Sequence, residues 1–180
     1  MWRGHTPVAV KKWFDPKMSD ALVQAFRAEV MTQRDLRHPN IVQLLGACSK
    51  PPQLCLVMEF LPKSLHSVLH EPPEIALDLR RKVDLAMDVA RAMGYLHSRS
   101  PAVIHRDIKP ANFLVDRAWR VKLCDFGLAS AGHGQAGMGT PAYMAPELLS
   151  NKTYNEKARP GVCWRPRPGG GFPPSARALL

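Results

Sequence analysis

The chain has 180 residues, 46% apolar and 22% charged, with 17 prolines and a formal net charge of +10, the size and mixture of about one soluble globular domain. These figures exclude collagen, mucin-like and coiled-coil chains. No stretch reaches the ~18 uninterrupted apolar residues of a membrane helix, and the N-terminus lacks the apolar run of a secretory signal, so a cytoplasmic protein with no membrane span is expected.

Pro7-Val8-Ala9-Val10-Lys11-Lys12-Trp13 suits a half-buried strand. A helix follows, with Ser19 as its N-cap, Leu22, Phe26 and Val30 at four-residue spacing, Leu36 near its end and Pro39 closing the pattern. Its apolar face also carries Glu29. Ile41–Cys48 and Leu54–Phe60 read as strands separated by the turn-forming Lys50-Pro51-Pro52. From Asp78 to Ser98 a longer helix is expected, with Leu79, Val83, Ala86, Met87, Ala90, Met93 and Leu96 forming one stripe packed along its whole length. Val103-Ile104, Phe113-Leu114-Val115 and Val121-Lys122-Leu123-Cys124 read as short strands in small hairpins, and Ala131–Gly139 as a mobile, Gly-rich region. Cys48, Cys55, Cys124 and Cys163 show neither C-x-x-C nor metal-ligand spacing; the first three sit in apolar runs and read as small buried hydrophobes.

The charge is unevenly placed. Residues 158–180 hold four Arg and no acid, leaving +6 over residues 1–157, and the same segment holds five prolines and four glycines without any periodicity. It cannot bury enough surface to offset its ordering entropy, so residues 159–180 are expected to be a disordered basic tail. Without an aromatic ladder or a Lys cluster, the tail is read as a solvated appendage and no nucleic-acid partner is expected.

Two clusters carry chemistry. His105-Arg106-Asp107-Ile108-Lys109-Pro110-Ala111-Asn112 is followed, thirteen residues after Asn112, by Asp125-Phe126-Gly127. With Val8-Ala9-Val10-Lys11 upstream and Ala145-Pro146-Glu147 downstream, this order resembles the eukaryotic protein kinase signature set. The resemblance implies an α+β, bilobal protein kinase fold over residues 1–158, partial because the Gly-rich loop and the lower part of the helical lobe have no counterpart here. The abrupt change after Ala158 reads as a truncated gene model, an intron read-through or a frame change. Gly139-Thr140-Pro141-Ala142-Tyr143-Met144 and Lys109-Pro110-Ala111 look like the serine/threonine type. Leu44-Leu45-Gly46-Ala47-Cys48 and Val57-Met58-Glu59-Phe60-Leu61 look like the tyrosine-kinase-like group, with its Raf-like and mixed-lineage members.

The implied function is transfer of the γ-phosphate of Mg-ATP to protein Ser/Thr hydroxyls in signal transduction. Such transfer needs in-line placement of a hydroxyl, neutralised phosphate charge and metal ions on oxygen ligands. By resemblance, Asp107 orients the substrate hydroxyl, Lys109 sets a positive charge beside the transferring phosphate, and Thr140 orients both. Asn112 and Asp125 would hold Mg²⁺, as hard oxygen donors do. Lys11 would contact the ATP phosphates and pair with Glu29, which gives a reason for an acid on an apolar helix face. Glu59 and Leu61 belong to the hinge segment that would hold adenine, with Met58 gating the pocket behind it. Gly127 would supply backbone freedom closed to other residues. Gln33 stands where the family places an apolar residue. Arg106 would receive an activation-loop phosphate, for which Ser130 is the only hydroxyl residue between Gly127 and Thr140.

Stripe residues of the 78–98 helix left uncovered would forfeit roughly 5 to 12 kcal/mol, comparable to the ~5 to 15 kcal/mol stability of a whole domain. The expectation for this chain is therefore marginal folding and feeble catalysis. Its alternative role is as a non-catalytic binding or decoy module.

Overall fold

A computed structural model describes residues 4, 6–13, 19–70, 77–131 and 139–144. The Ala145-Pro146-Glu147 motif, most of the Gly-rich region and the tail expected over 159–180 lie outside them. The first layer is a three-stranded antiparallel sheet of β1 (Val8–Lys12), β2 (Leu44–Cys48) and β3 (Cys55–Glu59), ordered β1-β3-β2, with α1 (Asp20–Arg34) against one face. Ser19 caps α1 as expected, its Oγ accepting from the Leu22 N–H at 3.3 Å, and Asp20 and Arg34 complement the helix dipole at the two ends. Phe26 of α1 is buried with Leu44, Leu54 and Leu56, a contribution of about 1.5–3 kcal/mol for that one ring, and its edge meets Trp13 at 5.0 Å.

The second layer holds β4 (Lys63–Ser64), α2 (Leu65–His70), α3 (Leu79–His97), β5 (Val103–Ile104), β6 (Phe113–Val115), β7 (Val121–Leu123) and β8 (Ser130–Ala131). The strands form a β4-β6-β7 sheet and a β5-β8 pair. The sequence reading assigned no element to β4, α2 or β8. Moreover, β5 does not belong to a hairpin: it pairs with β8, Val103 opposite Ala131 and Ile104 opposite Ser130. The fold is thus α+β, with small antiparallel sheets and three helices among the described residues.

α3 begins on Asp78, whose Oδ1 accepts from the Arg81 N–H at 2.7 Å, and ends on Ser98. Its buried face is Leu85, Asp88, Ala92 and Leu96. The expected stripe is not packed along its length: Leu79, Val83 and Met87 are 69%, 50% and 48% exposed. Val83 and Leu85 lie about 200° apart around a helix, so the two faces oppose each other. The buried face carries Asp88, whose carboxylate accepts from the Val121 N–H at 2.9 Å and from Arg91 at 3.0 Å, so the charge it brings into the interior is satisfied there.

The two layers meet on β7. The Val42 N–H donates to the Leu123 carbonyl and the Leu123 N–H to the Asn40 carbonyl, both at 2.9 Å, and Asn40 Nδ2 donates to the Val121 carbonyl at 2.8 Å. Hence the strand expected from Ile41 begins only at Leu44, because Ile41 makes a parallel bridge to Leu123 instead. Glu59, at the end of β3, reaches across: Lys122 Nζ lies 2.8 and 2.7 Å from its two carboxylate oxygens, and the Gln43 N–H donates to it at 2.7 Å. Lys122→Met strands that carboxylate. The expected loss is about 1–2 kcal/mol, read as a Tm lower by roughly 2–8 °C; an unchanged melt would show that the bridge contributes nothing.

Candidate active site

The lower half of the site is built on the loop after β5. Asp107 Oδ1 accepts from Thr140 Oγ1 at 2.7 Å and from the Thr140 N–H at 3.0 Å. Its Oδ2 takes Lys109 Nζ at 2.6 Å and Asn112 Nδ2 at 2.9 Å. Lys109 also donates to Thr140 Oγ1 at 2.9 Å, and Asn112 to the Asp107 carbonyl at 2.7 Å. Three residues, Lys109, Asn112 and Thr140, therefore converge on one carboxylate. Asn112 is positioned by a 3₁₀ turn over Pro110–Asn112.

Thr140 arrives there through Gly139, whose φ is +119°; a Cβ on Gly139 would sit 2.5 Å from the Arg106 carbonyl oxygen, so glycine is needed for both conformation and space. Arg106 itself has φ 69°, in the left-handed region, a strained conformation held by its surroundings. Its guanidinium donates to Ser130 Oγ. His105 beneath is buried. The Cys124 carbonyl can only accept, so His105 Nε2 carries the proton that it donates there at 2.9 Å, and Nδ1 faces the Asp107 N–H at 3.4 Å. Burial holds this imidazole below its ordinary value, against the pull of the Cys124 bond and of Asp125 and Asp107.

Burial alone would raise the Asp107 carboxyl, but the hydrogen bonds from Lys109, Thr140 and Asn112 and the Lys109 charge outweigh it and hold the group below the usual carboxylate value. With a lowered folded-state pKa, its stabilising contribution is complete above the unfolded value and is lost as pH falls through the folded one. The Tm gap between wild type and Asp107→Asn is therefore expected to be constant near neutrality and to close below about pH 4. A gap that widens in acid would contradict these contacts.

The upper half centres on Lys11, whose Nζ lies 2.8 Å from Glu29 Oε1 and 2.7 Å from Asp125 Oδ1. β1 turns Lys11 toward α1 and leaves Lys12 exposed, as strand alternation requires. Glu29 is buried. Desolvation pushes its carboxyl up, opposed by the bond and charge of Lys11; desolvation would lower Lys11, but its bonds to Asp125 and Glu29 hold it up and charged. Asp125 has φ 62°. The role expected of Gly127 changes: a Cβ there would lie 3.2 Å from Glu29 Oε2 and 3.5 Å from Asp125 Oδ1, so this glycine makes room for the carboxylates rather than supplying an unusual φ. The two halves are joined by the Cys124 N–H, which donates to the Asn112 carbonyl at 2.9 Å.

Met58, Glu59 and Leu61 lie at the far end of the same sheet, with Met58 opposite Ala9 two residues along from the Lys11–Leu56 pair. Leu61 is buried. Gln33 is buried completely, its Nε2 donating to the Val42 carbonyl at 3.3 Å and to Met58 Sδ at 3.7 Å, while Oε1 has no partner. Asn40, Asp88 and Lys122, which fix β7 beside Asp125, were not legible as site residues: the signal each carried was a polar side chain in or next to an apolar run.

The donor set suits a hard divalent cation. Asn112 commits its amide nitrogen to Asp107, which leaves its amide oxygen as a ligand, and the Asp125 side chain is 46% exposed. Among the described residues no group of three or more His, Cys, Asp or Glu could hold a metal, and Mg²⁺ typically uses one or two carboxylates together with substrate phosphates.

A protein kinase domain model matches residues 3–159. Over 162 residues the chain is 46% identical to the Arabidopsis thaliana probable serine/threonine-protein kinase SIS8, covering 87% of this chain and 16% of that protein. It is 42% identical over 164 residues to the Arabidopsis serine/threonine-protein kinase CTR1, covering 87% and 20%, and 39% identical over 161 residues to the Dictyostelium discoideum probable serine/threonine-protein kinase drkA, covering 87% and 25%. The chain thus spans a quarter or less of the length of these relatives.

Proposed function

This chain belongs to the protein kinase domain family, and from that premise we propose that it transfers the γ-phosphoryl group of ATP to serine and threonine hydroxyls of proteins. The observation that carries the proposal is the convergence of Lys109, Asn112 and Thr140 on the Asp107 carboxylate. Held by three donors, the carboxylate is fixed in rotamer and kept ionised, so it accepts the hydrogen bond of an incoming hydroxyl and aims its oxygen in line. Lys109, held 2.6 Å from Asp107 Oδ2 and 2.9 Å from Thr140 Oγ1, is poised to follow the phosphate charge as it moves. Asn112 and Asp125 are the residues that would hold Mg²⁺; when bound, the ion supplies positive charge to the phosphate oxygens. Lys11, fixed between Glu29 and Asp125, offers its ammonium to the nucleotide phosphates, and the segment Met58–Leu61 offers backbone groups to adenine. The tyrosine-kinase-like assignment and a cytoplasmic site of action belong to the same proposal; among the described residues no helix is long and apolar enough to cross a membrane.

The test is incubation with Mg²⁺ and ATP labelled at the γ position, with a generic basic protein as acceptor, followed by phosphoamino-acid analysis. Label on serine and threonine above the Asp107→Asn background is expected. Label confined to tyrosine would reject the acceptor class. Nucleotide binding without transfer would favour a non-catalytic binding module.

A further inference from the structure

The last residue pair of the β2–β3 ladder is Cys48 opposite Cys55. Directly opposed residues of an antiparallel pair carry their side chains on one face, with Cβ atoms about 4.5–5.5 Å apart. Their Cα separation of about 4.5–5.5 Å falls within the roughly 4.4–6.8 Å that a disulfide spans, and the Cβ atoms close to its ~3.5–4.5 Å by an approach of up to about 1 Å. Leu54 and Leu56 are buried with Phe26 beneath α1, so alternation turns Cys55, between them, to the opposite face of the sheet. That face is open: Val10 and Lys12 on the neighbouring β1 are exposed, and Lys12 is the residue opposite Cys55 on that side. Both thiols are free and only half-buried, which corrects their reading as buried hydrophobes. A turn closed by the Gln53 N–H on the Lys50 carbonyl at 2.9 Å joins the two strands.

We propose that Cys48 and Cys55 form a dithiol–disulfide pair, a modification site whose oxidant is a low-molecular-weight disulfide. One protein thiolate attacks a sulfur of the small disulfide, forming a mixed disulfide and releasing one small thiolate. The second protein thiolate attacks the protein-side sulfur of that mixed disulfide and releases the other. The protein loses two protons and two electrons, and the reagent takes up both and leaves as two thiols. Lys12 and Lys50 flank the pair with positive charge and favour an anionic disulfide.

The test exposes the whole chain to oxidised glutathione, in buffer and separately in urea, with acid quenching, alkylation after unfolding and peptide mapping. Alkylation at Cys48 and Cys55 is expected to disappear together, with a Cys48–Cys55 link that dithiothreitol reverses. Closure is expected to be faster in buffer than in urea by about tenfold or more, since the strand register pre-organises the thiols. Cys48→Ser is expected to stop at a mixed disulfide on Cys55. Persistent alkylation at both positions, mixed disulfides that do not collapse, a link between two chains, or equal rates in buffer and urea would overturn the proposal. None of these readouts depends on phosphoryl transfer.

Discussion

Asp107→Asn is expected to lower phosphoryl transfer by roughly 10²–10⁴-fold, with kcat and kcat/KM falling together. The cause is the donor arrangement around the side chain. Oδ1 accepts from Thr140 and Oδ2 from Lys109 and Asn112, so whichever way an asparagine amide is turned, its NH₂ meets a donor. The substituted group can neither accept a hydroxyl proton nor hold Lys109 and Thr140 in place. Steady-state kinetics on a variant whose melt remains cooperative checks this. Retention of more than about a tenth of wild-type transfer would remove Asp107 from the chemistry.

The second large effect is expected at Lys11. Lys11→Met leaves Glu29, whose side chain is only 4% exposed, without its cation. Losing one partner of a fully buried pair costs about 3–5 kcal/mol, and because the Lys11 side chain is 36% exposed the expected loss here is nearer 1–3 kcal/mol, or roughly 2–12 °C in Tm. Transfer should be lost as well. The double variant Lys11→Met/Glu29→Leu separates the two consequences: it is expected to recover the melt, since an apolar pair of similar volume replaces the ions, but not the activity. Recovery of both would mean that Lys11 acts only as a structural partner of Glu29.

How much of this was legible in the sequence depended on how local each signal was. The Lys11–Glu29 pair was legible through the kinase resemblance, which also explained a costly acid on an apolar helix face. Asp107, Asn112 and Asp125 stood in a recognisable order. The ties that hold β7 did not, since Asp88 meets Val121 across 33 residues, Lys122 meets Glu59 across 63 and Asn40 meets Val121 across 81. The orientation of α3 was misjudged for a related reason: two opposite faces are apolar, and the one that is buried carries Asp88, whose donors are met only in the folded chain. The cysteines are a third case. Spacing along the chain gave no pairing, whereas strand register puts Cys48 and Cys55 side by side.

β7 is only three residues long, yet every flank of it is held: by Asp88 from α3, by Asn40 and Val42 from the segment before β2, and through Lys122 by Glu59 at the end of β3. The two layers therefore share a common splint, and any rocking of one against the other has to hinge outside it. Amide hydrogens report such a splint directly. Those of Val121 and Leu123 are expected to exchange only on global opening, whereas the amides of β8 and of the Gly139–Thr140 segment exchange through smaller, local excursions.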